Sequence, residues 1–240
     1  WFTLIAAVHV MVAYKNSGHS YFTATFLALV SFVLVIYASY LTRSGILGET
    51  SVHSFTSLGM SSQLIVFNVA FLAIMVILLV VRKKEMPSSQ KEEDIYSREF
   101  WLFIGALVLT VACVQIISTT SIPVYNAIFK TDVAPPIDPI PHYNKWQGAF
   151  AVVVLILTAF TQFLKYKRTD SRKFFAATIA SLIIALLLTA GIVYVTKIYS
   201  NFMYILIAFA SIFSVLANLR ILGDAFKGKW RLAGSAVAHI

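Results

Sequence analysis

Leu41-Thr42-Arg43-Ser44-Gly45-Ile46-Leu47-Gly48-Glu49-Thr50-Ser51-Val52-His53-Ser54-Phe55 is a hydrophilic stretch set between two apolar runs, about Ser20 to Leu41 and Gln63 to Val81. About 20 apolar residues in a helix cross the hydrocarbon core of a bilayer, and each run is of that length. The stretch therefore reads as a loop joining two membrane helices. Backbone polar groups inside lipid must bond within their own segment or a closed barrel, so runs of this length predict an all-α, polytopic integral membrane protein. His53, alone in the loop, is a candidate metal ligand or a solvated loop residue.

Composition agrees with that solvent. Of the 240 residues, 59% are hydrophobic and only 12% charged, with a mean hydropathy of +0.83. A soluble domain is nearer half apolar and a quarter charged. The net charge of +9 would point to nucleic acid in a soluble protein, but in a membrane protein basic residues sort by side, and no nucleic-acid partner is implied. The single cysteine, Cys113, lies within an apolar run and has no partner for an intramolecular disulfide. The chain begins at Trp1 rather than Met and is read as a fragment.

Marked by span length, six complete transmembrane helices and two truncated ones are expected. The first is cut and ends near Tyr14. Complete spans follow at about Ser20 to Leu41, Gln63 to Val81, Phe100 to Thr120, Trp146 to Leu164, Phe174 to Thr196 and Phe202 to Leu219, and an eighth stops at Ile240. Ile122 to Lys145 holds five of the six prolines, which predicts an extended loop there. As drawn, no Asp, Glu, Lys or Arg lies inside a span.

Lys and Arg accumulate on the cytoplasmic side of a membrane protein. The loops at about 15–19, 82–99, 165–173 and 220–231 hold fifteen of them, whereas those at about 42–62, 121–145 and 197–201 hold four. The first set is expected to be cytoplasmic. The second, which carries His53 and His142, is expected to be external, hence periplasmic in a bacterium with an outer membrane. The whole chain, 1–240, reads as one membrane domain.

His9 and His239 fall inside spans. His9 lies six residues before Lys15, and His239 lies eight after Arg231, so at about 1.5 Å per residue they sit roughly 9 and 12 Å from the cytoplasmic ends of their helices. Ionisable residues in lipid are costly, and His is a common haem-iron ligand. Two histidines at matched depth suit either bis-histidine ligation of a b-type haem or hydrogen bonds to neighbouring helices, as expected for Gln115. His142 and His19 read as loop and helix-end residues, and Trp146 as an interfacial aromatic.

The run Leu41 to Leu47 followed by Ser51-Val52-His53-Ser54-Phe55 resembles the signature after the tryptophan-rich WWD segment in the CcmF family, the haem lyase subunit of cytochrome c maturation, within the wider CcmF/CcsA haem-handling group. Gly234-Ser235-Ala236-Val237-Ala238-His239 resembles the same family's later membrane-histidine segment, and Trp1 to His9 the helix leaving the WWD segment. The resemblance implies a fragment C-terminal to that segment, in the bacterial inner membrane. It implies that His53 is an axial ligand for haem in transit from the chaperone CcmE at a periplasmic site, and that His9 and His239 hold a membrane-bound haem b. It also implies electron supply from quinol, CcmH-type apocytochrome-handling subunits as partners, and apocytochrome c as the acceptor of the haem. Arg43 then has two readings: a charge anchor at a helix end, or a partner for a haem propionate.

Two other classes remain open from the residues. A transporter would show broken helices, inverted repeats or several intramembrane charges. A b-type quinol oxidoreductase would use His9 and His239 and give His53 no role.

Overall fold

The computed structural model describes residues 1–48, 59–87, 94–228 and 233–240. Among them the chain is helical throughout and contains no strand: α1 (Phe2–Ser17), α2 (Tyr21–Arg43), α3 (Ser61–Arg82), α4 (Arg98–Thr120), α5 (Ile122–Phe129), α6 (Pro139–Thr161), α7 (Ser171–Thr196), α8 (Phe202–Phe226) and α9 (Ala233–His239). Six of these, α2, α3, α4, α6, α7 and α8, are long and apolar enough to cross a membrane. The protein is a multi-pass membrane protein of all-α class.

The expected spans recur, most of them with longer ends, although α6 stops at Thr161, short of the expected Leu164. The helices take in charged residues close to their termini, Arg98 and Glu99, Lys145, Arg220 and Asp224 among them. The extra turns keep backbone groups bonded where the apolar run has already stopped.

The proline-rich segment departs from expectation. It is not one extended loop: α5 starts at Ile122 with a proline in its first turn, and α6 starts at Pro139 rather than near Trp146. Pro123, Pro139 and Pro141 all occupy first-turn positions, where a backbone N–H has no intrahelical acceptor to lose. Between α5 and α6 only 130–138, with Pro135 and Pro136, lacks helix.

The helices group into two compact units. The first comprises most of α1, then α2, α3, the second half of α4, α5 and the opening of α6; the second comprises the start of α4, the rest of α6, and α7, α8 and α9. In the first unit α1 offers a face of small residues: Thr3, Ala6, Ala7, Val10 and Ala13 are all buried. Small residues let helix backbones approach closely where lipid supplies no hydrophobic drive. Ser31 Oγ of α2 donates to Thr3 Oγ1 at 2.9 Å along that face.

In the second unit Ala159, Ala185, Phe213 and Ala217 form a core joining α6, α7 and α8, and α8 also packs against α9. Asn218 and Ser214 lie on the buried face of α8. The Asn218 amide donates to Ser214 O at 2.8 Å.

Candidate functional site

The polar centre of the second unit is assembled around His239. Its Nδ1 lies 2.7 Å from Ser235 O, one turn back on α9. A carbonyl only accepts, so Nδ1 carries the proton and Nε2 keeps the lone pair. Gln162, directly after α6 and 7% exposed, brings its amide nitrogen to 3.4 Å from the same Nδ1. Both nitrogens then bear hydrogens, so this is a close approach rather than a bond. The amide orientation follows from Arg98, whose Nη2 donates to Gln162 Oε1 at 2.6 Å.

Ser235 completes the cluster. Its Oγ lies 3.2 Å from Gln162 Nε2, 3.3 Å from Gln162 Oε1 and 3.5 Å from Arg98 Nη2. The Arg98 guanidinium also stands 5.5 Å over the ring of Tyr166, a cation–π distance. Arg98, Gln162 and Ser235 were not singled out in the sequence; Ser235, one helical turn before a membrane histidine, was the visible hint.

The segment after α6 is held in place by backbone bonds. Arg98 N–H donates to Lys165 O at 3.0 Å, and Thr169 N–H to Tyr96 O at 2.8 Å. Glu99, only 1% exposed, accepts the Lys167 N–H on both carboxylate oxygens, at 3.0 and 2.9 Å. Lys167 has a left-handed backbone, φ 70°. These ties fix the basic turn against the start of α4 and so set where Gln162 and Arg98 meet.

His9 belongs to the first unit and is described within it. Its Nδ1 lies 2.8 Å from Ile5 O, again four residues back on its own helix. By the same reasoning Nδ1 is the donor and Nε2 the basic nitrogen. The ring is partly buried and borders the small-residue face, three positions from Ala6.

Arg43 is the last residue of α2 and is exposed. Beyond it Ser44 N–H donates to Tyr40 O, and Ser61 Oγ to Ser44 O at 3.0 Å. Gly45 takes φ 77°, in the left-handed region where a side chain would be strained. Leu47, Tyr40 and Leu41 pack with Val124 of α5, and Tyr37 pairs its hydroxyl with Ser121 Oγ at 2.6 Å. The lead-in to the loop is thus packed onto α2, α3 and α5. His53 itself lies outside the described residues.

His142 is not the loop residue expected. It occupies the first turn of α6, partly buried, with Nε2 3.4 Å from both Gln115 Nε2 and Thr119 Oγ1 of α4. His19 lies between α1 and α2 and is partly buried. Among the described residues there is no cluster of three or more His, Cys, Asp or Glu side chains able to hold a bare metal ion.

For a haem the relevant test is the donor set. An axial histidine has its other ring nitrogen anchored by an acceptor, and in both His9 and His239 a backbone carbonyl lies within hydrogen-bond distance of Nδ1.

No family model and no solved structure matches the chain. Two curated proteins are similar to it: the cytochrome c-type biogenesis protein CcmF of Pseudomonas fluorescens, 28% identical over 245 residues, and the CcmF of Pseudomonas aeruginosa, 28% identical over 242 residues. Each alignment covers 98% of this chain, and 34% and 35% of the respective relatives. The chain spans about a third of the length of the curated relatives it matches. The likeness runs through the helices between the motifs as well as through the motifs, so the chain is similar to these CcmF proteins along 98% of its residues.

Proposed function

We propose that the chain serves c-type cytochrome biogenesis as a haem-handling membrane segment of a haem lyase subunit. The observation that carries this reading is the likeness to CcmF over 98% of the chain. The anchoring of Nδ1 on a carbonyl in both His9 and His239 supports its finer part, in which each histidine would hold a b-type haem through Nε2. Such a haem, when bound, supplies one-electron redox chemistry. The chain's own contribution is to anchor each Nδ1–H on a carbonyl, which orients the ring.

The same reading puts the protein in the bacterial inner membrane with the His53 loop periplasmic. There His53, with Arg43 at the adjoining helix end, would hold haem delivered by the chaperone CcmE before its attachment to apocytochrome c, alongside CcmH-type subunits. Thioether formation needs reduced reactants in an oxidising compartment, which gives a membrane electron source, fed by quinol, its purpose.

The test is a reduced-minus-oxidised spectrum with pyridine haemochrome analysis on the full-length protein. His9→Ala and His239→Ala are each expected to lose the b-type signal and to lower cytochrome c yield. Normal haem content in both would sink the membrane-haem reading. His53→Ala is expected to weaken trapping of chaperone-delivered haem and leave the b-type spectrum intact; loss of both signals together would remove His53 from the periplasmic site.

A further inference from the structure

We propose that Arg98 is an anion-binding residue of the His239 site and that the anion is a propionate of the haem that His239 holds; this rests on the haem reading above. Among the described residues Arg98 forms no ion pair, the ion pairs there being Arg82 with Glu85 and Arg168 with Asp94. Its partners are neutral: the Gln162 carbonyl, the Ser235 hydroxyl and the face of Tyr166. A guanidinium offers five N–H donors in a planar fork shaped for a carboxylate, and the two hydrogen bonds made here both leave from Nη2.

The neighbouring carboxylate is spent elsewhere. Glu99 accepts the Lys167 N–H on both oxygens and is not within ion-pair reach of Arg98. A partly buried cation at the end of a span, held by neutral acceptors, retains the capacity for a charge-assisted bond to an incoming anion. Its link to His239 is short: Arg98 reaches Ser235 and Gln162, and the histidine ring touches both. A porphyrin carries its negative charge on two flexible carboxylates at one edge, so an axial histidine with an arginine beside it matches the ligand's own layout. A lipid phosphate shares that anionic chemistry, and the experiment separates the two.

The full-length protein carrying His53→Ala, prepared free of haem, is titrated with haem and with haem dimethyl ester, whose propionates are neutral. The readout is the low-spin b-type absorption band. With Arg98 intact, haem is expected to bind about tenfold more tightly than its ester, the scale of one hydrogen bond to a charged group. Arg98→Gln is expected to bind both alike, at the affinity the ester shows with Arg98 present. Retained preference for haem in Arg98→Gln overturns the proposal, and so does absence of preference with Arg98 present, the result expected if a lipid phosphate is the partner. If Arg98→Gln fails to fold, the titration with Arg98 intact decides by itself. A b-type band that survives His239→Ala would instead refute the haem reading and leave no site for Arg98 to serve.

Discussion

His9 and His239 are the same residue type, one on α1 and one on α9, each with Nδ1 held by the carbonyl four residues back, yet their surroundings differ in kind. His239 stands beside Gln162, Ser235 and Arg98, which are tied to one another. His9 borders a face of Thr3, Ala6, Ala7, Val10 and Ala13. The local hydrogen bond sets the tautomer in both; what stabilises the neighbourhood is polar and long-range in one, and close-packed and apolar in the other. Two like residues can therefore rest on two unlike supports, and perturbations should separate them.

The largest expected effect is on the polar side. Gln162→Leu removes the shortest acceptor of the Arg98 guanidinium and leaves that charge partly buried, at about 3 kcal/mol. The apparent unfolding temperature in detergent should fall, and Gln162→Glu, which offers Arg98 an ion pair, should recover most of the loss. On the packed side Ala7→Leu forces a larger side chain into a fully buried position, at about 2 kcal/mol, and Ala7→Ser should cost less. If Ala7→Leu were neutral, the small-residue face would not be a packing surface.

A weaker probe is Thr3→Val, which keeps shape and removes one of the two acceptors of the Ser31 hydroxyl, Leu27 O at 2.7 Å remaining; a loss of about 0.5 kcal/mol is expected. The weakest is Val66→Ala on α3, a position 68% exposed, where a change below about 0.5 kcal/mol is expected. A large effect of Val66→Ala would mean that a partner, and not lipid, covers that side.

The transmembrane frame was legible because lipid imposes a length rule that each apolar run states by itself. Every expected span is met by a helix, and the misses lie at the ends. Pro139 and Pro141 read as loop residues because proline forbids a helix interior, but in a first turn that objection disappears. His142 was drawn into the same misreading and emerges against Gln115 and Thr119. The membrane histidines were visible as rare polar residues in apolar runs. Their supports were not, since Arg98, Gln162 and Ser235 are brought together across 64, 73 and 137 positions, and no local pattern encodes a meeting of that kind. The charge of Arg98 looked like the close of a cytoplasmic linker, when it opens α4.

Helix α3 is buried only at Met75 and Leu79. It is fastened to α2 through contacts such as Phe32 with Phe71 and the Asn68 amide with Ile36 O. Twenty-two residues make it about 33 Å long, close to the thickness of the hydrocarbon core. Most of its surface is left uncovered by the described residues of this chain. In thinner bilayers this helix has to tilt or lift its ends, and the end it would lift begins at Ser61, whose hydroxyl grips Ser44 at the entrance to the loop of His53. Bilayer thickness is in that sense an input to the position of Ser44, read by the span that the described residues cover least.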